Sequence, residues 1–438
     1  MKYSWIERLV FMLSAAFFVF LYGFLTYRYD LFPSEYLERA IDKASSIISK
    51  PVPHYMQRAV YDREGAISLE PSEIQPGLTL ITSHWPQYDW RSGIVLIDEA
   101  GQQLHQWKAD PLEVFPEEPK RANAYVHGSY LFPNGDVLFN IEYAGLVLMD
   151  SCGKVKWKLG YKDRNYVTHH CLTRNQEGNF WICGQVRWFP DDPESEAHVQ
   201  ELPGLELPLY EDHLLEVSSE GEILRDINLV KALYDNGLER YLVKIADTTT
   251  RDVVHLNDIE ALPDNIAAEY PMFESGDLVV SMRGINMVLV MDPDTGKVKW
   301  HETDPFLKQH DPDFTGDGWI TMFDNNMDFT ERGTMLGGSR ILAMQPHTGK
   351  TRIVYPTDDA PGFYTRLAGK WQQLDNGNML ITEARPGRAF EVTPDGRMVW
   401  EWIHERYDGE QIPEVLEATR YPMTHDQVSA WACGPGDG

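Results

Sequence analysis

The chain repeats one pattern, and that repeat limits the fold more than any single motif does. An apolar run, a glycine turn, two further apolar runs and a small-residue turn before a Trp-bearing strand recur at 130–159, 274–302 and 371–402. Alternating apolar and polar positions with turn residues between them read as four-strand meanders. Further copies cover 168–229, with a polar insertion over 187–210, and 309–355; a degenerate first copy covers 77–107. Small antiparallel sheets with two apolar faces cannot stand alone, and radial packing buries all of them. The expected fold is therefore all-β: a six-bladed β-propeller of four-stranded antiparallel blades. Trp157, Trp300 and Trp400 of the fourth strands are expected in its core. Neither GxxxxGK[ST] nor GxGxxG occurs, so a phosphate loop and a dinucleotide fingerprint are excluded.

Ahead of the repeats, Leu9 to Thr26 is uncharged and follows Lys2 and Arg8. Its length suits a membrane helix with a cytoplasmic N-terminus, and bulky Phe, Tyr and Leu stand where small residues would mark signal cleavage. The expected organisation is a cytoplasmic tip and transmembrane anchor over 1–26, a stalk over 27–76, the propeller over 77–422 and a C-terminal tail over 423–438. The protein is thus expected as a single-pass protein of the inner (cytoplasmic) membrane, with its propeller on the periplasmic side. Arg420 to Pro422 is expected to help close the ring. Disulfides are permitted in that compartment. Cys171 and Cys183 flank one predicted turn, as a disulfide or as two buried thiols, whereas Cys152 and Cys433 have no obvious mates.

With 67 Asp+Glu against 39 Lys+Arg, the net charge of -28 opposes unspecific nucleic-acid binding, which needs a cationic surface. The repeat nevertheless concentrates histidine. With the turn glycines Gly135, Gly178, Gly276, Gly318 and Gly377 as origins, His127, His170 and His310 stand eight residues upstream in three copies. His255 leads a fourth copy at longer spacing. Seven residues downstream stand Glu142, Gln185, Arg283, Asn325 and Ala384. A hairpin returns its second strand to where the first began. Radial assembly then gathers His127, His170, His255, His310, Asn257, Arg283 and Asn325 at one end of the central channel.

Imidazoles beside an Arg and Asn amides suit an anionic tetrahedral group, with the donors on its oxygens and a neutral imidazole attacking its centre. Phosphoryl and sulfuryl transfer both fit. There is no CxxC or other zinc spacing, and no cofactor is called for.

The motifs "HLND" (255–258), "SMR" (281–283), "QHDPDF…FDNN" (309–326) and "EATRYP" (417–422), spread over six blades, resemble those of the bacterial arylsulfate sulfotransferase family. The resemblance covers roughly Gly77 to Pro422. It implies an exported propeller that moves a sulfuryl group from a phenolic sulfate ester to a phenolic acceptor through a sulfohistidine, independently of a nucleotide sulfate donor. It further implies that His310 is the nucleophile and that His255, Asn257 and Arg283 hold the sulfate. His170 matches a channel histidine and would protonate the leaving phenolate; Asn325 and His127 would contact substrate. The space before the first blade is expected to be too short for the separate N-terminal β-domain of some members, and Cys171 follows His170 where an acid often stands.

Two other classes stay open on the residues. Four axial histidines can ligate one metal ion, giving a metalloenzyme. "SCGKVKW" and "DTGKVKW" resemble quinoprotein-type blades, giving a non-enzymatic envelope scaffold. Nothing in the sequence sets an oligomeric state.

Overall fold

The computed structural model describes residues 5–29, 55–116, 124–160, 166–186, 209–243, 252–328 and 330–431. The chain divides into two units, 1–54 and 55–438. The first contributes one helix, Trp5–Tyr29, whose described apolar side chains are exposed, Phe11 at 74% and Phe20 at 72% among them. Among the described residues no helix is long and apolar enough to cross a membrane; the described side chains of this helix run unbroken only from Arg8 to Phe24. The stretch expected to span over 9–26 is met by a helix, Trp5–Tyr29. Residues 30–54 of the expected stalk lie outside the described residues.

The second unit is the six-bladed propeller that the repeat predicts. Blade 1 is built from Leu78–Trp85, Arg91–Ile97 and Gln103–Lys108, with Glu417–Tyr421 as its innermost strand. Blade 2 spans Val126–Leu131 to Val155–Gly160, blade 3 Val167–Arg174 to Ile223–Asn228, and blade 4 Leu256–Ala261 to Val298–Glu302. Blade 5 spans His310–Phe314 to Lys350–Tyr355, and blade 6 Lys370–Gln373 to Met398–Ile403. The tight turns carry the predicted glycines in left-handed backbone, for example Gly135 at φ 86° and Gly377 at φ 90°, where a Cβ would be strained. First strands of neighbouring blades pack side by side around the axis. The apolar cores lie between blades: Phe139, Phe180, Phe323 and Phe390 are fully buried there.

The ring closes by strand exchange between chain ends. Glu417–Tyr421 pairs antiparallel with Leu78–Trp85, so a C-terminal strand completes the N-terminal blade. The "EATRYP" segment is thus the closing strand itself. Arg420 is buried; its Nε donates to Thr79 Oγ1 at 2.8 Å, and its Nη1 lies 3.4 Å from Glu391 of blade 6.

Three regions differ from the sequence reading. Residues 55–76 are part of the propeller unit: Met56–Arg58 pairs with Gln411–Pro413, and Gly65–Ser68 adds a fifth strand outside blade 6. That extra strand covers Trp400, which is fully buried, while Trp157 and Trp300 are only half-buried. Their position on outermost strands leaves one face to solvent. The recurrent Trp is instead a clasp between blades. Trp107 Nε1 donates to Asp150 O (3.1 Å), Trp157 Nε1 to Ser219 O (3.0 Å) and Trp400 Nε1 to Glu99 O (2.8 Å), each reaching the next blade's turn. Finally, the start of the expected tail is ordered by a helix, His425–Ser429, with a Thr424 capping box. Trp431 behind it donates to Pro133 O at 3.2 Å.

Cys171 and Cys183 form a disulfide across the first hairpin of blade 3. Cys152, which looked mateless, is also disulfide-bonded; Cys433 lies outside the described residues.

Candidate active site

His310 begins the inner strand of blade 5, and Asn325 follows the strand that returns beside it. Asn325 is fully buried. Its Nδ2 donates to Thr365 O at 2.9 Å and to Ala368 O at 2.7 Å. Two carbonyls can only accept, so the amide orientation is fixed and Oδ1 is left to face His310 Nδ1 at 2.6 Å. Nδ1 must then carry the hydrogen, and Nε2 keeps a bare lone pair. Nε2 makes no hydrogen bond among the described residues. Because both amide hydrogens are used, Asn325 has none left for substrate; it positions His310 rather than binding a ligand, contrary to the sequence reading.

Arg283 follows the second strand of blade 4, and its backbone N–H donates to His255 O at 3.2 Å. The long sequence spacing between the two is absorbed by a loop and the short helix Asp264–Ala267. Arg283 Nε is buried without a hydrogen-bond partner. Burial, and then the charge of Arg283, push the His310 imidazole well below its ordinary value. Burial first, with neighbouring cationic groups, also lowers His170 strongly, His127 to about 3 and His255 to about 4. The mouth thus gathers neutral imidazoles around one guanidinium, a field suited to an anion.

The remaining histidines are close. His127 and His170 have ring centroids 4.5 Å apart, and His170 and His255 4.9 Å apart. His170 Nε2 lies 3.3 Å from His255 Nε2, and its Nδ1 lies 2.9 Å from His169 Nδ1. Both nitrogens of His170 thus face other imidazoles. His127 Nδ1, in contrast, is buried without a hydrogen-bond partner.

Asn257 Nδ2 donates one hydrogen to Gln309 O at 2.7 Å, which anchors the residue before His310 and leaves a second amide hydrogen for a ligand. Strand register also corrects the repeat. Leu256 pairs with Met282 as Val126 pairs with Ile141, both partners standing six residues after their turn glycines. Asn257, not His255, therefore takes the place of His127. In and just before the bulges of the inner strands, non-glycine residues sit in left-handed backbone, His170 at φ 50°, His255 at φ 51° and Asp311 at φ 51°. Such strain, roughly 1–3 kcal/mol per residue, gathers at functional sites.

Sequence reasoning missed His169 and Asp252. Strand alternation sends adjacent residues to opposite faces, but the bulge between His169 and Leu172 brings His169 and His170 together. Asp252 Oδ2 lies 2.7 Å from His255 Nδ1, three residues upstream in a segment with no regular pattern. Of the polar insertion over 187–210, residues 187–208 lie outside the described residues.

For a metal, His127, Glu142 and His170 bring one ligand atom each within 4.8 Å of one another. Two His and one Glu are a zinc-type donor set. The fit is poor, because His170 Nδ1 is engaged with His169 and the charge of Arg283 acts on both imidazoles.

The family model described as Arylsulfotransferase (ASST) matches residues 128–406. No curated protein matches the chain. Solved structures that it resembles include a protein of unknown function from Bacteroides caccae, at 12% identity and TM-score 0.49 over 78% of this chain and 98% of that one. Another is hydrazine synthase from Kuenenia stuttgartiensis, at 11% identity and TM-score 0.41 over 69% of this chain and 71% of that one. A third is an inactive virginiamycin B lyase from Staphylococcus aureus with quinupristin, at 12% identity and TM-score 0.36 over 64% and 69%.

Proposed function

The chain belongs to the arylsulfotransferase family, and from that premise we propose that it transfers a sulfuryl group from a phenolic sulfate ester to a phenolic acceptor through a sulfohistidine at His310. The observation that carries this reading is the imidazole fixed by Asn325 with Nε2 bare. In the first half-reaction Nε2 attacks sulfur, the S–O bond to the phenol breaks, and the phenolate leaves with the electron pair. His310 Nδ1 keeps its hydrogen and donates it to Asn325 Oδ1, so the positive charge formed on the ring is held by a hydrogen bond. Arg283 and the free amide hydrogen of Asn257 serve the sulfuryl oxygens. A phenol acidic enough to be ionised at the assay pH leaves as the phenolate without a proton donor. In the second half-reaction an acceptor phenol takes the sulfuryl group from Nε2.

The assay is direct: with an aryl sulfate donor and a phenolic acceptor, phenol release is expected to match formation of the sulfated acceptor one for one. No transfer over a broad donor panel would contradict the reading. So would activity that tracks about one equivalent of tightly bound metal at His127, Glu142 and His170. Because the lowered imidazoles stay neutral, kcat/KM is expected to hold steady as pH falls from 8 through the ordinary histidine value of 6.5 and to decline only in more acid solution. An acid limb centred at or above 6.5 would contradict a nucleophile pushed down by burial and Arg283.

We further propose that the N-terminal helix anchors the protein to the inner membrane, with the propeller outside the cytoplasm. The support is its uncharged stretch over 9–26 after Lys2 and Arg8, and two disulfide-bonded cysteines in the first hairpin of blade 3. Recovery of the full chain in the soluble fraction of lysed cells would contradict the anchor.

A further inference from the structure

The histidines beside the nucleophile form a chain of close contacts that ends on a carboxylate. A carboxylate only accepts, so the 2.7 Å contact between His255 Nδ1 and Asp252 Oδ2 places the hydrogen on Nδ1 and leaves His255 Nε2 bare. His170 Nε2, 3.3 Å away, is then the donor. His170 Nδ1 lies 2.9 Å from His169 Nδ1, and His169 Nε2 lies 3.6 Å from Asp212 Oδ1. Gln185 holds the acidic side: its Nε2 donates to Asp212 Oδ1 at 2.7 Å and lies 3.4 Å from Asp252 Oδ1.

The link between His170 and His255 is the longest of the imidazole contacts and lies beyond the usual range of an N–H hydrogen bond. It is the one that a phenolic hydroxyl can displace. A bare Nε2 backed by a carboxylate on Nδ1 is the arrangement of a general base whose tautomer is fixed from behind.

Building on the sulfuryl-transfer reading, we propose that His255 and Asp252 are the general-base pair of the second half-reaction. The acceptor's O–H proton moves to His255 Nε2. Its oxygen bonds to sulfur while the S–N bond to His310 breaks and the electron pair returns to His310 Nε2. His255 is then an imidazolium held through Nδ1 by Asp252, and it gives the extra proton to solvent. His255 touches the acceptor, and Asp252 is a positioning residue. His170 occupies the base in the resting enzyme.

The test separates the two half-reactions in the full-length protein. Mixed with a donor alone whose phenol is ionised at the assay pH, Asp252→Asn is expected to release one phenol per site at a rate within a few-fold of the unmodified protein. In steady-state transfer to a phenol that is neutral at the assay pH, the same variant is expected to lose about 100-fold or more in kcat. Asp252→Glu is expected to recover part of that loss. A phenol acidic enough to be ionised at the assay pH is expected to need no base and to be transferred nearly as well by the variant. Equal losses in donor-alone release and in turnover, or equal losses for neutral and ionised acceptors, overturn the proposal. If the unmodified protein releases no phenol from donor alone, the sulfohistidine reading itself fails, and this inference with it.

Discussion

Replacing His310 with asparagine is expected to lower sulfuryl transfer by at least roughly 10⁴-fold, the scale seen when a covalent nucleophile is removed. The loss should fall on kcat. Arg283 and Asn257 remain to hold the sulfate ester, so donor affinity is expected to change little. Asparagine is the informative replacement because its amide is small enough for the site and presents a donor toward Asn325 Oδ1, the contact that His310 Nδ1 makes at 2.6 Å. The thermal unfolding midpoint should therefore stay close to that of the unmodified protein, and a loss of activity cannot be laid to a loss of fold. Undiminished transfer would remove His310 from the chemistry.

The second large effect lies at the seam of the ring. Arg420 of the closing strand sits 3.4 Å from Glu391, and Glu391 Oε1 also accepts from Gln75 N and Asn378 Nδ2, each at 2.7 Å. Arg420 also spans blades 1 and 6, since Gln372 Nε2 donates to its carbonyl at 3.0 Å. Arg420→Met keeps the stem and removes the charge, leaving Glu391 buried and uncompensated. Breaking such a pair from one side costs about 3–5 kcal/mol, and denaturant unfolding should show it. Arg420→Met combined with Glu391→Gln is expected to recover much of the loss, because the charge is removed while an Oε1 acceptor is kept for Gln75 N and Asn378 Nδ2. If the single variant is as stable as the unmodified protein, Arg420 does not hold the ring shut.

What could be read from the sequence was whatever the repeat carries. The glycine turns and alternating runs predict six meanders, and the shared offset from each glycine brings His127, His170 and His310 to one mouth. What could not be read came from breaks in the repeat and from neighbouring blades. A bulge changes which residue faces the axis, so Asn257 takes the place assigned by spacing to His255, and His169 joins His170. The role of Asn325 depends on the carbonyls of Thr365 and Ala368, which arrive from the segment leading into blade 6. Its side chain reads as a ligand until those acceptors are in view. Trp400 is deeper than Trp157 and Trp300 because Gly65–Ser68 crosses over from a segment that the pattern marks only as polar.

Sulfuryl transfer through His310 requires a covalent bond between sulfur and one nitrogen. Mixing the protein with an aryl sulfate donor in the absence of acceptor, quenching at alkaline pH and sequencing the peptides by mass spectrometry should find one sulfuryl group per chain, on the peptide that contains His310 and absent from His310→Asn. Phenol released with no sulfuryl group on that peptide, or a sulfuryl group on His127, His170 or His255 instead, would contradict it.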